Sequence, residues 1–185
     1  GEIESFAIGD LDTNGDFEFV VACDAGLQVL SHLDRTPSPV NYDPVLASKM
    51  ELVDINGDAY LDLIISAEGQ PVTILPGQGD STFGSAQDWD LGRTADFAVL
   101  DVDHDGLMDL VGFDARSPTL TIRKGLGVDA GGHTVNVLSE LSNASAGEIF
   151  LTTAMATADF DGDGILDLAQ GRRSTVEVRL GLGDG

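Results

Sequence analysis

The chain has 185 residues, 42% hydrophobic and 22% charged, with 32 acidic against 9 basic residues and a net charge of −23. That length and apolar content argue for a folded domain over a disordered acidic tail, and the charge argues against nucleic acid and anionic membrane as partners. A single cysteine and three histidines supply neither a disulfide framework nor a zinc cluster, and no run of 18 apolar residues predicts membrane insertion.

In chain order, the first strand reads SFAIGD and runs into an acidic loop, Asp10-Asp12-Asn14-Glu18, followed by the strands FEFVVACD and GLQVLSHL. Cys23 lies in the apolar run FVVAC and is expected to be buried as a small hydrophobe. The pattern then repeats: KMELVD, the loop Asp54-Asn56-Asp58-Asp62, DLIISAEG and PVTILPGQ, with QDWDLGR as an outer strand. It repeats again as TADFAVLD, the loop Asp101-Asp103-Asp105-Asp109, DLVGFDA and TLTIRKGLG. A longer insertion follows, GGHTVNVLSELSNASAGE, with room for one short helical turn around VLSELSNASAGEIF. Asn143-Ala144-Ser145 is a glycosylation sequon by pattern. The last copy reads TAMATADF, the loop Asp159-Asp161-Asp163-Asp167, DLAQGRR and TVEVRLGLG, where Arg172-Arg173 is read as a loop end. Alternating apolar residues and β-branched content mark these runs as strands. The loops begin at 10, 54, 101 and 159, a period that suits one supersecondary unit per repeat and four-stranded antiparallel propeller blades. The expectation is an all-β fold, a single propeller segment over 1–185 with repeats near 3–46, 47–93, 94–152 and 153–185.

Each loop places oxygen-bearing side chains at its first, third, fifth and ninth positions. Alternate residues of a tightly curled loop point inward, so this spacing can wrap a hard cation. Calcium takes six to eight oxygens at roughly 2.3–2.6 Å in flexible geometry, whereas magnesium demands a rigid octahedron. The backbone carbonyl at position seven (Asp16, Tyr60, Leu107, Ile165) adds a ligand that needs no special side chain. An EF-hand is excluded, because position twelve is Val21, Ile65, Gly112 or Gln170 where a bidentate Glu is required. Position six is Gly15, Gly106 or Gly164, as a turn with positive φ prefers, but Ala59 in loop two, which should strain it. Up to four calcium ions are predicted. Loops 101–109 and 159–167, with four Asp each, are the stronger pair; Glu18 in loop one and Asn56 and Ala59 in loop two predict weaker binding. The loop side chains hold nearly half of all the acids, three in each of the first two loops and four in each of the last two.

These residues resemble the FG-GAP/VCBS repeat family of integrin α-subunit propellers and secreted bacterial proteins. DFDGDGILDL (159–168) and DVDHDGLMDL (101–110) match its DxDGDGxxDL loop. VRLGLGDG and ILPGQGDSTFG match its LGxGDG strand ending and its FG dipeptide. The resemblance covers essentially the whole chain. It implies calcium in the hairpin between the first two strands of each blade, on one rim of a propeller. It also implies a larger propeller of which this chain is part; a compact four-bladed form and a half that pairs with another chain remain open. An open strand edge invites association.

Three functions follow in order of support. The first is a non-catalytic, calcium-binding module for adhesion or ligand recognition, secreted or at the cell surface, whose long insertion is a ligand contact. The second is a lectin or the carbohydrate-binding part of a polysaccharide-active enzyme, with Trp89 as an exposed aromatic platform and Tyr42 as another. The third, intrinsic catalysis, has little to stand on. His32, His104 and His133 form no nucleophile–base arrangement, and His104, inside loop three, is expected to face solvent.

Overall fold

The computed structural model describes residues 2–31, 37–40, 42, 47–67, 69–89, 91, 94–102, 105–114, 119–125, 144–145, 152–172 and 175–181. Its described residues form only strands, turns and loops. The first sheet holds β1 (Ile3–Gly9), β2 (Glu18–Cys23), β3 (Gly26–Leu30) and β4 (Pro37–Pro39) in that order. The second holds β5 (Ala47–Val53), β6 (Asp62–Ala67), β7 (Val72–Leu75) and β8 (Gln87–Trp89). The third holds β9 (Thr94–Leu100), β10 (Asp109–Asp114), β11 (Thr119–Arg123) and β12 (Ala144–Ser145). The fourth holds β13 (Thr152–Ala158), β14 (Asp167–Arg172) and β15 (Thr175–Arg179). Every neighbouring pair is antiparallel, as the repeat pattern requires. These are the four expected antiparallel sheets, although the fourth has three strands among the described residues where four were expected. The predicted helical turn lies outside the described residues, apart from Ala144 and Ser145, which are strand.

Two elements differ from expectation. The outer strand of blade one is Pro37-Ser38-Pro39, paired with Leu30, Val29 and Gln28. Proline is tolerated there because the strand lies on an edge, where no partner asks for its missing N–H. Cys23 is only half-buried, at the end of β2, with its Sγ 3.5 Å from the carbonyl of Gly26.

The chain divides into two compact units, Gly1–Asp54 with Asp58–Asp90 and Ile55–Gly57 with Leu91–Gly185. In the first unit, one face of blade one meets one face of blade two. Ala7, Leu11, Val20, Ala22, Leu27 and Val29 pack there against Met50, Leu63, Ile65 and Leu75. In the second unit, Ala98, Leu100 and Val111 of blade three, flanked by Val102 and Ile122, pack against Leu168 of blade four. Blade two is apolar on both faces: Leu63, Ile64 and Ile65 in succession are at most 1% exposed. A strand buried on both sides reads as a continuous apolar run, which is why DLIIS shows no alternation.

A bulge recurs at one place in the first strand of each blade. The register slips between Ile3 and Ser5, between Ala47 and Lys49, and between Thr152 and Ala154, and opposite Gly112–Asp114 in blade three. At the other end of the blade, the third strand leaves by a glycine that crosses the backbone just before the second strand. A Cβ on Gly77, Gly125 or Gly181 would overlap the carbonyl oxygen of Leu61, Met108 or Leu166, respectively. Only glycine lets the two backbones approach so closely. Gly77→Ala is therefore expected to cost about 1–3 kcal/mol in urea denaturation. Gly84→Ala, whose nearest neighbour would be the Pro76 carbonyl at 3.5 Å, is expected to stay close to wild type.

Candidate metal centre

The four acidic loops share one hydrogen-bond network. The first-position carboxylate receives the amides of positions five and six. Asp10 accepts from Asn14 and Gly15 at 3.1 and 2.9 Å, and Asp54 from Asp58 and Ala59 at 3.1 and 2.8 Å. Asp101 accepts from Asp105 and Gly106 at 3.2 and 2.9 Å, and Asp159 from Asp163 and Gly164 at 3.1 and 2.9 Å. The fifth-position oxygen then takes the amide of position seven: Asn14 from Asp16, Asp58 from Tyr60, Asp105 from Leu107 and Asp163 from Ile165, at 2.7–2.8 Å. At position three, Asp12 and Asp161 accept from Asn14 and Asp163 at 3.3 and 3.1 Å. Asp and Asn turns of this kind curl the loop before any ion is considered.

Curling has a conformational cost. Position six is left-handed in every copy, with φ of 92°, 72°, 88° and 89° at Gly15, Ala59, Gly106 and Gly164. The strain expected at Ala59 is thus present. Position four is left-handed as well, at Thr13 (φ 58°), Gly57 and Gly162 (φ 76° and 81°). Sequence reading missed this second position, although the Asn56-Gly57 and Asp161-Gly162 dipeptides carry its signal. Thr13 is β-branched and tolerates positive φ poorly.

The ninth position has a role beyond that of a prospective ligand. Glu18, Asp62, Asp109 and Asp167 are at most 2% exposed. One oxygen holds the amide of position two: Leu11 to Glu18 at 2.9 Å, Val102 to Asp109 at 2.8 Å and Phe160 to Asp167 at 2.7 Å. The other oxygen of Asp109 and of Asp167, and Oδ1 of Asp62, hold the exit glycine of the third strand. Gly77, Gly125 and Gly181 donate to Asp62, Asp109 and Asp167, each at 2.8 Å. One carboxylate thereby joins the loop entrance to the third strand. The sequence signal was a glycine 14–16 residues after each ninth-position Asp.

Carboxylates converge at two of the loops. Asp10, Asp12 and Glu18 present oxygens all within 4.8 Å of one another, and so do Asp159, Asp161 and Asp167. Either group could hold a metal ion, and its donors are hard oxygens. The longer Glu18 still reaches this position, since its carboxylate makes the same bond to position two as the Asp copies do. Among the described residues, loops two and three form no such group. In loop two the third position is the amide Asn56, which is buried. In loop three Asp103 lies outside the described residues, as does His104. Asn14, Asp16, Asp58, Tyr60, Asp105, Leu107, Asp163 and Ile165 stand at positions five and seven of their loops, engaged through the backbone bonds above. In loop two, Tyr60 also lies under the FG-containing turn, where a Cβ on Gly79 would overlap its ring. Gly84 closes that turn by donating to Pro76 at 2.7 Å.

The aromatic candidates fare differently. Trp89, expected to be exposed, is buried at 6% exposure on β8, so it offers no platform to a sugar. Tyr42 is half-buried and packs on the blade-one core, with its hydroxyl 3.2 Å from Thr73 Oγ1, which donates to Asp88 at 2.8 Å. It lines an open concavity of about 590 Å³ with Asp24, Gly26, Leu27, Pro39 and Val40. The long insertion and the sequon's Asn143 lie outside the described residues.

Antiparallel blades, each with an acidic loop between its first two strands, define a β-propeller-type repeat protein. Residues 54–112, from the start of loop two into β10, match the FG-GAP-like repeat family, so the chain carries an FG-GAP-like repeat, as its motifs predict. No curated protein sequence matches the chain. Among solved structures it is similar to one described as the basis of specific recognition of non-reducing terminal N-acetylglucosamine by a lectin of Agrocybe aegerita, with a TM-score of 0.66 at 20% identity. The match covers 97% of this chain and 50% of that one, so the chain spans about half the length of its structural relative. At that identity the likeness shows the fold.

Two substitutions separate loop strain from loop support. Ala59→Gly relieves a left-handed alanine and is expected to raise stability by about 0.5–1 kcal/mol, after the flexibility that glycine adds to the unfolded chain. Asp62→Ala strands the half-buried amide of Gly77 and is expected to cost roughly 3 kcal/mol already in the absence of divalent cations. Urea titrations in EDTA measure both.

Proposed function

We propose that the chain is a non-catalytic, calcium-stabilised β-propeller module of a secreted or cell-surface protein that recognises a protein or glycan ligand. The observation that carries this reading is the convergence of Asp10, Asp12 and Glu18, and of Asp159, Asp161 and Asp167, on loops already curled by their own backbone bonds. Calcium would be held by these carboxylates, by the side-chain oxygens of Asn14 and Asp163, and by the carbonyls of Asp16 and Ile165. Loops two and three would use Asp54, Asn56, Asp58, Tyr60 and Asp62, and Asp101, Asp103, Asp105, Leu107 and Asp109. The ion would neutralise charges that otherwise repel, and hold the blade rim rigid for ligand-bearing loops. Oxygen-only loops suit calcium better than magnesium because the shell is large and adaptable. Extracellular modules often bind calcium with Kd around 10⁻⁴–10⁻³ M, a range filled outside cells and empty at cytosolic calcium.

A glycan ligand is the second reading. It draws on the concavity beside Tyr42, where an aromatic ring and the Asp24 carboxylate share a surface, and on the lectin fold of the structural relative. Titration with N-acetylglucosamine-terminated oligosaccharides tests it; binding that survives Tyr42→Ala would place the sugar elsewhere.

The calcium reading is tested by thermal melts in excess EDTA, in millimolar calcium and in magnesium. Near 1 mM calcium, a site with Kd about 0.1 mM adds about 1.4 kcal/mol. Asp161→Ala is expected to lose that increment in calcium and to change little in EDTA. Equal losses in both would count against a metal at this loop.

A further inference from the structure

Loop one does not stand on blade one alone. Asp10, its first position, lies between two residues that blade two holds. Gly9 packs under Leu52 and Leu61, so closely that a Cβ there would come within 2.7 Å of Leu61 Cδ1. Leu11 is 4% exposed and belongs to the apolar cluster on which Leu52, Leu61 and Phe83 of blade two pack. The Leu11 carbonyl, which leads into Asp12, receives the amide of Ser81 at 3.4 Å. The Leu11 amide donates to Glu18 at 2.9 Å. Leu11 is thus bonded on one side to a carboxylate of the candidate metal centre and on the other to the next blade.

The residue that reaches across is itself held in an uncommon conformation. Ser81 is left-handed, with φ of 64°, which a non-glycine residue keeps only where its surroundings fix it. Those surroundings are the FG-containing turn. Gln78 donates to the Thr82 carbonyl at 3.1 Å, the Thr82 amide to Asp80 at 3.1 Å and Gly84 to Pro76 at 2.7 Å, while Gly77 pairs with Phe83. The Tyr60 ring lies beneath Gly79. The turn therefore delivers the Ser81 N–H, as part of one bonded unit, to a carbonyl set between Asp10 and Asp12.

On the calcium reading of loop one, we propose that its metal site is shared between two blades. The turn of blade two positions the Leu11–Asp12 peptide for the cation, and a cation on Asp10, Asp12 and Glu18 fixes that turn reciprocally. Coupling of this kind runs through contiguous bonded groups, and its free energy is the same in both directions. An opening of the turn that breaks the Ser81–Leu11 bond frees the Leu11 carbonyl, and with it the segment that joins Asp10 to Asp12. Ser81 is a positioning residue here. It acts through Leu11 with its amide, not its hydroxyl.

Amide exchange followed by NMR on the whole chain, in EDTA and near 1 mM calcium, tests one direction. With Kd about 0.1 mM at loop one, the Ser81 amide is expected to exchange about tenfold more slowly in calcium. The Gln70 amide, bonded to Ala67 in the turn between β6 and β7, is expected to keep its rate. Asp12→Asn retains an oxygen for the Asn14 amide but loses the charge, and is expected to lose the slowing at Ser81. Calorimetric titration tests the other direction. Ser81→Pro removes the N–H and is expected to weaken calcium at loop one several-fold. Ser81→Gly keeps both the N–H and the left-handed backbone, and is expected to bind as wild type does. A Ser81 amide indifferent to calcium, in a protein whose binding heat falls in Asp12→Asn, would overturn the shared site and leave the calcium reading intact. Equal slowing at Gln70 would overturn it as well, because the effect would then be general to the blade. So would wild-type affinity in Ser81→Pro. Absence of any heat that depends on Asp12 would sink both the shared site and calcium at loop one.

Discussion

The fold hangs on a buried carboxylate. Glu18, Asp62, Asp109 and Asp167 each sit at the mouth of a hairpin, almost fully removed from water and bonded to backbone amides, and Asp109 and Asp167 each join two segments far apart in sequence. A buried charge of this kind is tolerated only when it is thoroughly hydrogen-bonded, and the bonds it makes are then the strong ones. The carboxylate fixes position two, hence the curl of the loop, and in three blades it fixes the third strand through its exit glycine. Loop shape and sheet alignment therefore share one support. The prospective ligand oxygens are brought together as a by-product of how the blade is stapled.

This coupling separates two roles that one motif conceals. The first-, third- and fifth-position side chains of loops one and four are exposed or half-buried and, among the described residues, bond to their own loop. They organise local curvature and leave their charge near solvent. The ninth position reaches into the core. An ion held by both groups would connect a surface loop to the strand framework through a single carboxylate.

Much of this was legible in the residues. Four copies of an oxygen-bearing spacing announced the loops, and β-branched alternation placed the strands around them. The strain at Ala59 followed from its standing where the other copies have glycine. What escaped was three-dimensional. The left-handed Thr13 has no sequence signal of its own. Trp89, flanked by Asp88 and Asp90, reads as a surface residue, yet pleating turns it inward while Asp88 reaches Thr73. The prolines of Pro37-Ser38-Pro39 argue against a strand unless its edge position is known. The distinction between a blade's two faces emerges only when cross-strand register is available to sort Phe19 from Val20.

The recurrent bulge has a consequence of its own. Four similar sheets in one polypeptide create an aggregation hazard, because the edge of any blade is a passable template for any other. In every blade the first strand is an edge strand, and each one carries its irregularity at the same place, near Glu4, Ser48, Thr153 and the Thr94–Phe97 stretch. A bulge interrupts the ladder and increases the local twist, so a second straight strand cannot zip along it. The repeats thus carry a built-in defence against fibrillar self-pairing, inherited by each copy with the module itself.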